Sequence, residues 1–192
     1  MNFTEDWTTP HAELWMKHLG HLRGVPDSHA IEIGSFEGKS TIWFLKNILT
    51  DERSRLICID TFEGGDDQRK FGTKLDGLYH RFRSNIDECN LADKTQVFRM
   101  ASVEALHRLP RLCHDFIYVD GSHIAKDVLE DLVLSWPLLK NNGIMILDDY
   151  GWNLDPDRLN RPQPAIDAFL DIYSRKLKVL DKGLQVIVRK TE

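Results

Sequence analysis

The chain has 192 residues, the length of one ordinary domain, and its 42 % hydrophobic and 29 % charged residues mark a globular rather than a disordered protein. Lys and Arg number 25 against 30 Asp and Glu, a net charge of −5 that excludes a global basic surface for duplex nucleic acid. The three cysteines, Cys58, Cys89 and Cys113, lack CxxC spacing and point to a reducing cytoplasm, while no run approaches the ~18 apolar residues of a membrane span and residues 1–10 lack a signal peptide's apolar stretch.

In chain order, Leu14, Met16, Leu19 and Leu22 predict an N-terminal helix packed on the outside. The run 29–33 predicts a first strand ending at Gly34, and Ile42, Leu45, Ile48 and Leu49 predict a helix over 39–49. A second strand, 55–59, ends at Asp60. A polar, Gly-containing stretch over 61–73 follows, long enough for a mobile lid. Leu75, Leu78, Tyr79, Phe82 and Ile86 predict a further helix, 96–100 a third strand and 116–119 a fourth that ends at Asp120. A helix from Ala125 ends or bends at Pro137, because the ring removes a donor and crowds the preceding turn. The fifth strand, 144–147, is apolar throughout, as strands covered on both faces are, and ends at Asp148-Asp149. A late helix carries Ile166, Phe169, Leu170 and Tyr173, and 178–181 with 184–189 flank Lys182-Gly183 as a hairpin. Strands alternating with helices define an α/β fold with a mainly parallel sheet.

The carboxyl ends of parallel strands lie at one edge, where such folds bind ligands. Gly34, Asp60, Asp120 and Asp148-Asp149 are all expected there. The turn Gly34-Ser35-Phe36-Glu37-Gly38 is GxxxG and lacks the third glycine of a dinucleotide fingerprint. Asp60 reads either as an acceptor for ribose hydroxyls or as a turn cap. Asp120, Asp148 and Asp149 read either as turn residues or as oxygen ligands of Mg²⁺, Mn²⁺ or Ca²⁺, since converging carboxylates repel one another unless a cation intervenes. His123, three residues past Asp120, is placed to take a proton from a hydroxyl, to bind the metal or to hold the loop.

These residues together resemble the class I S-adenosylmethionine-dependent methyltransferases. Residues 32–40 (EIGSFEGKS) look like their first motif. Residues 115–123 (DFIYVDGSH) and 142–150 (NGIMILDDY) look like their fourth and fifth strands. The nearest group is the small family of macrolide-sugar and aminocoumarin-type O-methyltransferases, and the layout is also similar to that of catechol and caffeoyl-CoA O-methyltransferases. The resemblance covers residues 30–189. It implies a Rossmann-like, doubly wound, seven-stranded, mainly parallel sheet with an antiparallel last strand. A helical cap over 1–28 would precede a methyltransferase domain over 29–192.

The resemblance further implies that Glu32, Gly34, Ser35, Gly38, Ser40, Asp60, Ser102 and Asp120 bind S-adenosylmethionine. The glycines would line its methionine part, Asp60 its ribose, and Ser102 would lie near the adenine. Asp120, Asp148 and Asp149 would bind Mg²⁺, or Mn²⁺ or Ca²⁺. Catechol-type enzymes carry a lysine three residues after the first metal aspartate, and the macrolide-sugar type an aspartate two residues after it. Those places hold His123 and Ser122 here, so His123 is the base by position. The reading is methyl transfer to a hydroxyl of a small molecule of sugar or secondary-metabolite type. Nucleic acid and membrane are not expected partners, and a homo-oligomer is left open. The alternatives are a metal-independent methyltransferase acting on nitrogen or carboxylate, and a protein that holds the cofactor without chemistry. An NAD-dependent oxidoreductase is disfavoured by the missing glycine.

Overall fold

Alternating apolar strands and amphipathic helices divide here into two halves, Met1–Met100 and Ala101–Glu192. The computed structural model describes residues 1–70 and 72–192. In the first half, α1 (Ala12–Leu19), with a 3₁₀ turn at each end, buries Trp15 and Leu19. Strands β1 (His29–Ile33), β2 (Arg55–Ile59) and β3 (Thr95–Phe98) run parallel, with Ala30 opposite Leu56 and Cys58 opposite Val97. Between them lie α2 (Lys39–Asn47), α3 (Asp66–Lys70) and α4 (Leu78–Glu88). Trp15 packs against both Trp43 and Phe44 of α2, at ring-centroid distances of 5.3 and 4.7 Å.

The second half opens with α5 (Ser102–Leu106), followed by β4 (His114–Val119), α6 (Ala125–Ser135), β5 (Leu139–Leu147), α7 (Gln163–Ile172), β6 (Leu177–Lys182) and β7 (Val186–Lys190). β4 and β5 are parallel, and β7 runs antiparallel to both β5 and β6. The seven strands take the order β3-β2-β1-β4-β5-β7-β6, the mainly parallel α/β sheet expected from the sequence. Trp136, Phe169 and Tyr173 form an aromatic cluster. The buried Lys190 ammonium lies over the Trp136 ring and donates to the Trp136 and Leu139 carbonyls at 2.8 and 2.9 Å, so a cation is buried with two of its three N–H donors bonded and an aromatic face beside it.

The differences from the expected elements have local causes. Helix α4 starts at Leu78, not at Leu75, because Gly77 at φ 68° breaks the periodicity, and Leu75 packs back against Gly64. β5 begins at Leu139: Asn142-Gly143 is an irregularity inside the strand, where the pairing with β4 shifts, rather than a turn before it. The stretch 61–73 is not structureless, since it contains α3 and Arg69 donates to the Glu63 carbonyl at 3.1 Å; Phe71, within that expected lid, lies outside the described residues. α5 had no separate periodic signal, being only five residues long.

One buried acid stands out in α6. Asp131 is 2 % exposed, takes a hydrogen bond from the Ser102 hydroxyl and keeps Oδ1 without a partner. Burial pushes its carboxyl up from 3.8 to about 7, and Asp127 and Glu130 add to the rise. A raised carboxyl favours the folded state below its unfolded value and loses that contribution as pH rises through about 7. Asp131→Asn should therefore reduce the fall in stability between pH 4 and 8, by roughly 2–4 kcal/mol. Urea unfolding at both pH values tests this; an unchanged pH dependence contradicts it.

Candidate functional site

The expected site residues form one cluster in each half. In the first half the turn after β1 is held from within by Glu32 and from outside by Asp60. Glu32 is fully buried; its Oε2 accepts from the Ser35 hydroxyl at 2.9 Å and from the Thr41 hydroxyl. Its Oε1 is buried without a hydrogen-bond partner. Burial raises the Glu32 carboxyl pKa, and the hydroxyls of Ser40, Thr41 and Ser35 oppose that rise. Gly38 sits at φ 83°, and a Cβ there would lie 3.0 Å from the Phe82 ring, so the position demands glycine on two counts.

Asp60 follows β2 and accepts from three backbone N–H groups: Ser35 at 2.9 Å, Phe36 at 2.8 Å and Phe62 at 2.6 Å. Phe36 and Phe62 have φ of 46° and 58°, a backbone region costly for aromatic residues, and Asp60 holds both. Asp60 is thus the clasp of the glycine turn, a role between the two read from its position. Burial raises its carboxyl pKa, and these three donors offset part of the rise.

A segment ahead of α1 braces the same turn. Buried Glu37 accepts from the Thr4 amide at 2.7 Å, the Thr4 hydroxyl at 2.9 Å and Arg81 Nε at 2.7 Å. Asp6 pairs with Lys39 at 2.7 Å, and Trp7 lies against Phe36 at 5.0 Å. Thr4 and Glu37 were not among the expected site residues, because nothing in sequence spacing links positions 33 residues apart.

In the second half, Tyr118 and Asp120 lie two residues apart, and residues so spaced share a strand face. The Tyr118 hydroxyl oxygen lies 2.9 Å from Asp120 Oδ2 and in contact with Asp148 Oδ2, and its single hydrogen is shared between the two. Burial and the two carboxylates drive the phenol pKa well above its usual range. Asp148 Oδ1 takes the Asp149 amide at 2.7 Å and so supports the left-handed backbone of Asp149, φ 56°. Asp149 Oδ2 is 2.7 Å from His123 Nε2, and the Trp152 ring lies 4.5 Å from the His123 ring. The Trp152 amide donates to the Asp149 carbonyl at 3.0 Å, which fixes that ring's approach. Ser122, in the place of the macrolide-sugar type's aspartate, donates to Asp127 at 3.1 Å.

Asp120, Asp148, Asp149 and His123 are therefore brought together, as expected, but as two sets. Asp120 and Asp148 share the Tyr118 hydroxyl, and Asp149 holds His123. Among the described residues no group of three or more His, Cys, Asp or Glu side chains is arranged to hold a metal ion. Asp120 Oδ2 and Asp148 Oδ2 converge on a point already filled by the Tyr118 hydroxyl, and Asp149 Oδ2 is directed at His123, so the three carboxylates in this arrangement do not fit a cation. The donor set of the first half does fit an aminoacyl sulfonium ligand. Glu32 keeps a buried, unpartnered carboxylate oxygen beside a turn whose glycines let the backbone approach closely, and an ammonium group is its complement. Ser102, expected near the adenine, opens α5, and its hydroxyl bonds to Asp131. Tyr118 escaped the sequence reading of the site, although its spacing from Asp120 carried the signal.

A family model described as "Methyltransferase domain" matches residues 31–150. No curated protein sequence matches the chain. Among solved structures, the O-methyltransferase TomG from Streptomyces achromogenes, involved in tomaymycin synthesis and bound to SAM, is 17 % identical. The match covers 97 % of this chain and 82 % of TomG, with a TM-score of 0.69. An O-methyltransferase from Bacillus cereus in complex with SAH is 17 % identical, with 99 % and 84 % covered and a TM-score of 0.69. The O-methyltransferase NovP is 17 % identical, with 95 % and 79 % covered and a TM-score of 0.71. At these identities the structures show a shared fold.

The clasp can be tested through binding. Asp60→Ala removes the acceptor of three N–H groups, and hydrogen bonds to a charged group are worth about 1.5–3 kcal/mol each. S-adenosylhomocysteine affinity, measured by calorimetry, should fall by at least roughly tenfold. Asp60→Asn, which keeps one acceptor oxygen, should fall less. Unchanged affinity in a folded Asp60→Ala protein contradicts the role.

Proposed function

The chain belongs to the methyltransferase-domain family and is an S-adenosylmethionine-dependent methyltransferase; from that premise we propose that it methylates a hydroxyl group of a small molecule, with His123 as general base. The observation that carries this reading is the His123–Asp149 contact of 2.7 Å. A carboxylate acceptor is already ionised and needs no base, and a neutral amine attacks through its own lone pair. A hydroxyl is the acceptor that gains from an imidazole held in place.

Bound S-adenosylmethionine supplies a methyl group on a positively charged sulfur. Glu32, Gly34, Ser35, Gly38 and Ser40 would hold its methionine part, and Asp60, which keeps their turn in shape, would bind the ribose. His123 takes the acceptor proton. Asp149 accepts from Nε2–H and steadies the imidazolium once it forms; the basic lone pair is then on Nδ1, a buried atom here, so the ring or its loop must shift for an acceptor hydroxyl to reach it. Trp152, against His123, gives the acceptor a flat apolar wall. No step passes through a metal, because the carboxylates expected to hold one are occupied as described. TomG's part in tomaymycin synthesis supports a secondary-metabolite type of acceptor. The three cysteines, all free thiols, support a cytoplasmic setting. No helix among the described residues is long and apolar enough to cross a membrane.

Methyl transfer to a panel of phenols, catechols and glycosides tests the proposal. His123→Ala should lower kcat by roughly 10²–10⁴ while S-adenosylhomocysteine binds as before. Asp149→Asn, which retains a short polar side chain tolerant of positive φ, should lower kcat by a smaller factor. Full activity in His123→Ala would remove it as the base.

A further inference from the structure

Carboxylates drawn together where water is partly excluded are stabilised by a proton, a donor or a cation between them. For Asp120 and Asp148 that partner is the hydroxyl of Tyr118, whose oxygen lies 2.9 Å from Asp120 Oδ2 and in direct contact with Asp148 Oδ2. A divalent cation bridging the two aspartates through their Oδ2 atoms would need those oxygens at about 2.0–2.6 Å, where the Tyr118 hydroxyl now lies. Tyr118 is 2 % exposed and sits in β4, so its ring cannot swing into solvent without opening the core. The neighbouring oxygens are also engaged: Asp148 Oδ1 holds the Asp149 amide at 2.7 Å, and Asp149 Oδ2 holds His123 at 2.7 Å.

We infer that Tyr118 is a positioning residue that takes a cation's place, tying Asp120 to Asp148 and closing their shared face to divalent metal. The hydroxyl shares its one hydrogen between the two carboxylates, and it fixes Asp148, whose other oxygen supports the Asp149 backbone and through it the orientation of His123. The occlusion stands on this geometry alone. Its consequence, methyl transfer that proceeds in the presence of chelator, rests on the proposed function above.

The test is Mn²⁺ titration of the full-length protein followed by electron paramagnetic resonance, with neither donor nor acceptor present. The wild type should show no specific binding below about 1 mM, the weak end of protein oxygen sites. Tyr118→Phe keeps the ring and removes the hydroxyl. A cation then no longer displaces charge-assisted hydrogen bonds, and Mn²⁺ should bind roughly 10–100-fold tighter. Adding Asp148→Asn to that variant should abolish the gain. Micromolar, stoichiometric Mn²⁺ binding by the wild type that is lost in Asp148→Asn would overturn the inference, as would equal affinities in wild type and a folded Tyr118→Phe. Should Tyr118→Phe not fold, the wild-type titration decides. Because Mn²⁺ binding is read without turnover, a failure here is distinct from a failure of His123 as base.

Discussion

An acidic side chain wholly or partly withdrawn from water gains from being given donors, and most of what is distinctive in this protein follows from how that demand is met after its strands. Glu32 is answered by the hydroxyls of Ser35 and Thr41, Asp60 by three backbone N–H groups, Asp120 and Asp148 by one phenol, and Asp149 by an imidazole and the fold of its own loop. Each solution orders a piece of backbone as well as a charge. Phe36, Phe62 and Asp149 adopt positive φ, and in each case a carboxylate receives the amide of that residue. The cost of the unusual backbone is offset by a charge-assisted hydrogen bond at the same place.

The two clusters use this principle for different ends. Around Asp60 the donors are main-chain groups, so the carboxylate shapes a turn and leaves side chains such as Glu32 to meet a ligand. Around Asp149 the donor is a side chain that can change its proton count, so on the proposed function the carboxylate orients the base. Asp148 serves both kinds of purpose, with one oxygen on the Tyr118 hydroxyl and the other on the Asp149 amide. A substitution at Asp148 therefore cannot be read as loss of a metal ligand alone, since it also releases the backbone that carries the partner of His123.

The strands were legible because their periodicity is strong. β1 and β2 are bounded as the apolar runs predict, and the aspartates fall after β2, β4 and β5 as that pattern requires. The glycine turn was legible for the same reason, since a strand, GxxxG and a helix follow one another without a gap. What sequence spacing could not carry was partnership across distance. Glu37 meets Thr4, and Tyr118 reaches Asp148, through folding alone. Three aspartates that each follow a strand look alike in sequence, yet the structure separates Asp149 from the other two by giving it a different donor. The bounds of α4 and β5 shifted because Gly77 and the Asn142-Gly143 irregularity act on backbone geometry, which a hydrophobic pattern does not report.

The central claim is that His123, held by Asp149, removes the proton of an acceptor hydroxyl. Its most direct measurement is the turnover of His123→Ala relative to wild type across acceptors of graded hydroxyl acidity, from alcohols to phenols already ionised at the assay pH. The account predicts a defect that is largest for alcohols and shrinks toward unity for ionised phenols, because those bring no proton to remove. A defect of the same size across the whole series would contradict it and would assign His123 to acceptor binding instead.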